Sequence, residues 1–143
     1  MVPLVNRAFS VETFVGGVRT DVKEILAMMR TGTFFVAEDD ASVLLASVYA
    51  EIRENRCGYF GMLSVNASKQ GAGLGRTMIE TAEAYCIEMG CTHMEITVLT
   101  PRTELFPYYR KFGYSETRVE EFRTDRPIQD GVECGLQVMS KVL

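Results

Sequence analysis

Apolar residues along this chain change period several times, and each change marks an element. Leu4, Val5, Ala8 and Phe9 recur at helical spacing, and residues 21–29 repeat the pattern with Val22, Ile25, Leu26 and Met29 on one face. The spacing predicts two opening helices, parted by Gly16 and Gly17 and closed by Gly32, where a left-handed residue is cheap. From Thr33 the period drops to two. Residues 33–38 and 43–52 are rich in β-branched and aromatic side chains, and Asp39, Asp40, Ala41 and Ser42 between them read as a hairpin turn. A third strand, residues 59–65, follows a turn at residues 55–58, so the three form an antiparallel meander.

A polar loop at residues 66–70 and a glycine-rich stretch lead into a long helix. Leu74, Met78, Ala82, Tyr85, Cys86 and Met89 form its predicted buried stripe, with Arg76, Glu80, Glu83 and Glu88 facing outward and Gly90 stopping it. Residues 93–99 then alternate, with Met94, Ile96 and Val98 on one face. Strand, helix and strand at this spacing imply a parallel pair with a right-handed crossover. A short helix over residues 103–112 takes Pro107 in its first turn, and residues 114–122 and 136–142 read as a closing antiparallel pair around the loop at 126–131. The fold class expected is mixed α/β, and 143 residues make one domain, residues 1–143.

Composition narrows the function classes. With 47% hydrophobic and 24% charged residues the chain can bury a full core. A net charge of −4 and a pI near 5.1 argue against phosphate-backbone binding, so nucleic acid is not an expected partner. Cys57, Cys86, Cys91 and Cys134 show no paired spacing and His93 is the single histidine, a poor basis for zinc, and no metal is expected. The start carries no basic stretch leading into an apolar core, which points to the reducing cytoplasm. The longest strand-like apolar run, residues 43–50, falls short of the roughly 18 residues of a membrane span, so no membrane is expected.

Gly71, Gly73 and Gly75 lie where a strand gives way to a helix, and a helix start offers unpaired N–H groups with partial positive charge. Without Cβ atoms, a phosphate can approach the main chain there. Two nucleotide loops are excluded by spacing. Arg76 and Thr77 follow the glycines, with no lysine where a Walker A loop requires one, and Arg76 replaces the last glycine of a dinucleotide fingerprint. A meander also precedes the loop where a first βαβ unit belongs. What Gln70, Gly71, Ala72, Gly73, Leu74 and Gly75 do resemble is the Gln/Arg-x-x-Gly-x-Gly/Ala signature of the GNAT N-acetyltransferase superfamily. Tyr108, Tyr109, Arg110, Lys111, Phe112, Gly113 and Tyr114 resemble its aromatic-Tyr-x-x-x-Gly-aromatic segment, at the usual distance after the family's fifth strand. The strong part of the resemblance covers residues 33–114.

The resemblance implies a central, mostly antiparallel twisted sheet splayed between the family's fourth and fifth strands, here residues 59–65 and 93–99, with helices on both faces. It implies acetyl-CoA as co-substrate, its pyrophosphate on the amides from Gln70 through Arg76 and its pantetheine along Leu63, Ser64 and Val65. Arg76 adds a positive charge, or simply lies solvated on the helix. Tyr109 matches the tyrosine that protonates the leaving thiolate, and a phenol of ordinary pKa near 10 holds its proton at neutral pH. An amide near Val65 would polarise the acetyl carbonyl. Several members place a carboxylate or histidine on the fourth strand; residues 59–65 contain neither. Glu51 and Glu95 are the substitutes for a general base, with water as relay, while Arg102 either orients substrate or caps Glu104. His93 reads as structural. The family's first strand is missing, which leaves a sheet edge to be covered by the N-terminus, by a partner such as a second copy in a homodimer, or by nothing. The implied reaction is acetyl transfer to a primary amine, of a small molecule or a protein, by direct attack in a ternary complex. Overall acidity favours cationic acceptors. The alternative is a non-catalytic acyl-CoA-binding or interaction module on the same fold.

Overall fold

The computed structural model describes residues 1–12 and 15–143. Strands β1 (Thr33–Glu38), β2 (Leu44–Arg53) and β3 (Cys57–Val65) form the antiparallel meander, and β3 pairs in parallel with β4 (His93–Leu99). Strands β5 (Ser115–Glu121) and β6 (Gly135–Val142) complete one six-stranded sheet of order β1-β2-β3-β4-β6-β5, in which β6 lies antiparallel between β4 and β5. Helices α1 (Val2–Ala8) and α2 (Val22–Met28) cover one face, and α3 (Leu74–Glu88) the other; α4 (Leu105–Arg110) follows β4. Among the described residues no strand precedes β1, which stands at the sheet edge.

Alternation along β2 builds a core on each face. Ala46, Val48 and Ala50 pack with Met78, Ile79, Ala82 and Cys86 of α3, whereas Tyr49 packs with Val5 of α1, Ile25 of α2 and Met62 of β3. Turn chemistry sets the β2–β3 hairpin: Asn55 and Arg56 both take positive φ, as its tight turn requires. In the parallel crossover, α3 is stopped by Gly90 at φ +89.

Three expectations from the pattern are corrected. The apolar face of α2 divides: Ile25 is buried, but Val22 is 63% exposed and Leu26 and Met29 are about half exposed, because a helix of two turns seats only the side that meets Tyr49 and Phe34. On α3 the stripe is rotated: Met89 lies exposed past the last turn, and Glu83 is buried. Glu83 can be inside because Tyr114 Oη donates to it at 2.8 Å and Lys141 Nζ lies 2.9 Å away. Gly32 has no left-handed backbone; a Cβ there would lie 2.5 Å from the Ala50 carbonyl oxygen and the Tyr49 ring, so close approach is what selects glycine.

Candidate functional site

The site begins with a strand pair that zips at one end only. Cys57, Gly58 and Tyr59 of β3 face His93, Met94 and Glu95 of β4, and the parallel pairing stops there. Beyond it β4 stays with β6 as far as Leu99, while β3 runs to Val65 against β2 alone. A bulge in the β2–β3 register and a positive φ at Met62 (52°) mark where β3 turns away. That backbone is costly for a residue with a Cβ, and it sits where a cleft opens.

The cleft encloses about 810 Å³ between Phe60–Val65 on one side and Ile96–Leu99 on the other. Its floor is the glycine loop. Gly71 (φ +87) and Gly73 (φ +80) are left-handed with open space where a Cβ would be, and Gly73 caps α3 without any side-chain hydrogen bond. The first turn of α3 holds no acidic residue, so its amides keep their partial positive charge for an anion. Gln70, Gly71, Gly73, Leu74, Gly75 and Arg76 all border the cleft; Ala72 does not. Arg76 stacks over Phe112 at 5.0 Å and is more than half exposed, 3.9 Å from Glu80. Leu63 and Val65 border the cleft too, whereas the Ser64 side chain is buried and donates to the Met62 carbonyl at 3.1 Å.

Tyr109 stands at the wall, its ring among Phe60, Tyr108 and Tyr114. Burial raises its pKa well above that of a free phenol, so the hydroxyl stays protonated through neutral and mildly alkaline pH. Tyr108 Oη leans over the loop, 2.5 Å from where a Cβ at Gly75 would be, so a side chain there would have to displace the Tyr108 hydroxyl.

Neither expected base is in the cleft. Glu51 points to the α1–α2 face of the sheet, accepting from Tyr49 Oη at 2.7 Å and Arg53 Nε at 2.6 Å. Glu95 is held by Arg118 at 3.1 Å on the β5 side. The carboxylates that do line the cleft are Glu12 and Glu24. Glu24 is engaged by Arg19 and by Thr20, whose hydroxyl donates to it at 2.7 Å. Glu12 is 5% exposed and bonded to Arg102 Nη1 at 2.7 Å, while Arg102 Nε reaches Glu104 at 2.6 Å. Arg102, Glu12 and Tyr109 all line the same cleft. The sequence signal for Glu12 was available: it is the only charged residue between Phe9 and Val15, amid Val11 and Phe14. His93 lies outside the cleft, its Nδ1 3.1 Å from Thr92 Oγ1. Among the described residues no three His, Cys, Asp or Glu side chains converge as metal ligands, and no helix is long and apolar enough to cross a membrane.

Comparisons agree with this geometry. No curated protein matches the sequence closely enough to count as a relative. Among solved structures, an IAA acetyltransferase from Bacillus cereus ATCC 14579 superposes with a TM-score of 0.73 at 15% identity, over 86% of this chain and 85% of that one. A GNAT family acetyltransferase from Elizabethkingia anophelis with acetyl-CoA bound gives 0.75 at 15% identity, over 86% and 84%. The ribosomal-protein-S18-alanine N-acetyltransferase from Escherichia coli gives 0.73 at 15% identity, over 96% and 86%. At these identities the likeness is one of fold. The sequence itself matches the family model described as Acetyltransferase (GNAT) family over residues 5–114, a span that holds both the glycine loop and the Tyr109 wall. With its parted strands and its loop of left-handed glycines, this chain belongs to the GNAT acetyltransferase family.

Proposed function

We propose that this protein moves the acetyl group of acetyl-CoA to a primary amine, by direct attack in a ternary complex. The observation that carries the reading is one coincidence in space: β3 and β4 part where the uncapped start of α3 and the Tyr109 side chain both face the same cleft. The residues present fit acetyl-CoA. The left-handed glycines leave room for a pyrophosphate at the amides of residues 71–76, with Arg76 beside them. Beyond Tyr59, the β4-facing side of β3 has no strand partner among the described residues, which leaves its backbone groups for the pantetheine amides to pair with, as an added strand does.

Each proton then has a carrier. The amine loses its ammonium proton to water before attack. The neutral nitrogen then attacks the thioester carbon and the carbon–sulfur bond breaks, leaving one excess proton on the new amide nitrogen and a negative charge on sulfur. Tyr109 gives its proton to the sulfur, and its apolar surroundings keep it protonated until then. Glu12 takes the proton from nitrogen through water, in place of Glu51 and Glu95, with Arg102 fixing its position through a hydrogen bond of 2.7 Å. None of the four free cysteines borders the cleft, in keeping with transfer without a covalent enzyme intermediate, and reduced thiols suit the cytoplasm.

The test is calorimetric titration with acetyl-CoA, followed by thiol release in the presence of amines for wild type and Tyr109→Phe. Tight binding of acetyl-CoA by both proteins, with turnover lost only in the variant, is the expected result. Unchanged turnover in Tyr109→Phe removes the role given to Tyr109, and absence of any binding removes the reading itself.

A further inference from the structure

The two ends of the cleft carry different chemistry. At the glycine loop, Lys69 and Arg76 accompany backbone amides. At the opposite end a second cavity of about 370 Å³ adjoins the cleft, and Phe9, Glu12, Arg19 and Arg126 line both. This end is built from two loops joined by a seam. Val15 bridges to Ile128, the Gly16 amide donates to the Pro127 carbonyl at 2.5 Å, and Arg126 Nε donates to the Gly16 carbonyl at 2.9 Å.

The charges there do not cancel. Glu24 is matched by Arg19, and Glu12 by Arg102. Arg126 is left over: it is half-buried, its Nε is fixed by Gly16, and among the described residues no carboxylate lies within ion-pair distance. A half-buried guanidinium anchored through Nε still offers its two terminal nitrogens as a rigid fork, the geometry that grips a carboxylate bidentately. The family match ends at residue 114, so this arginine belongs to the stretch beyond it.

We infer that the acceptor is a small zwitterion, an amine that also bears a carboxylate, with Arg126 holding the carboxylate and Glu12 facing the amine. The inference rests on the transfer reading above and names its substrate class. Although the chain as a whole is acidic, the acceptor end itself has a cation to spare, and local charge governs what seats there. The seam between the two loops bounds that end, which suits a small molecule better than an extended peptide crossing it.

The experiment uses the full chain, acetyl-CoA and a panel of amino acids, each matched with its carboxamide and with its decarboxylated amine. Leucine, leucinamide and 3-methylbutylamine make one such set. Expected is a kcat/KM at least tenfold higher for the carboxylate member of the preferred set than for either partner. In Arg126→Gln that preference falls to about one, through a rise in KM for the amino acid, and Arg126→Lys restores part of it. Equal or better turnover of amides or plain amines by the wild-type chain overturns the zwitterion assignment and leaves acetyl transfer standing. Acetyl-CoA binding with no turnover of any amine overturns the transfer reading, and this assignment with it. The comparison on the wild-type chain decides the matter even if the Arg126 variants fold poorly.

Discussion

The same two strands, β3 and β4, behave in opposite ways at their two ends. At Cys57–Tyr59 they are zipped and the space around them is full: a Cβ on Gly58 would collide with Met94 Sδ and lie 2.7 Å from Cys86 Sγ. At Phe60–Val65 they diverge, and an 810 Å³ cleft replaces the packing. Glycine serves opposite ends in the two regions. Gly58 lets side chains close over the backbone, while Gly71 and Gly73 keep the backbone bare toward open space. A cleft that must stay open needs a neighbouring seam that cannot open, because a void gives up the contacts that hold the strands together.

The largest effect is expected from breaking the closed end. Gly58→Val forces side-chain bulk into Met94 and Cys86 and should cost about 3 kcal/mol of stability, the upper part of the overpacking range, measured by urea unfolding. A midpoint within error of wild type would mean the seam has slack. At the open end, Tyr109→Phe should lower kcat about 100-fold, the lower part of what a general acid contributes, and leave the unfolding midpoint within about 1 kcal/mol because the ring remains packed. Gly73→Ala places a Cβ on a left-handed residue and should cost about 1 kcal/mol, with acetyl-CoA affinity falling in parallel as the loop relaxes.

The smallest effect is on pH. Burial, reinforced by the Glu51 carboxylate, raises Tyr49 from 10.0 to about 12, and burial raises Tyr109 and Tyr114 further. Below pH 10 the folded and unfolded chains both keep these protons and the stabilisation is complete. As pH rises from 10 toward the folded values, the unfolded chain releases protons that the native chain retains, so stability falls. Thermal midpoints between pH 9 and 11.5 should therefore drop, and Tyr49→Phe should flatten part of the slope.

How far the sequence could be read follows from how local each feature is. The meander, the long helix and the glycine loop are each set by neighbours within a few residues: alternation at 33–65, the 3.6 period from Leu74, and bare backbone at 71–75. Glu83 was misplaced because its burial depends on Tyr114, 31 residues away, and on Lys141, neither of which its own helix announces. Glu51 and Glu95 lie on strands beside the cleft, but the pleat turns Glu51 toward Tyr49 and Arg118 draws Glu95 toward β5, so proximity in the sheet did not become access. Glu12 and Arg126 act from loops with no period, and their partners Arg102 and Gly16 lie 90 and 110 residues distant. Local pattern locates the glycine-loop end of the cleft, and leaves the other end dark.

That difference in span has a consequence for how the molecule comes apart. The glycine loop closes on itself within about ten residues, so it can persist through fluctuations that leave β3 and α3 intact. The seam at Val15 and Ile128 holds two surface loops together through a few hydrogen bonds, and breaking it disturbs little of either core. Local opening should therefore cost least there, and in amide hydrogen exchange residues 15–19 and 124–131 should surrender protection together and well before α3 does. The native protein would then visit, briefly and repeatedly, a form in which the two loops stand apart while the floor of the cleft keeps its shape.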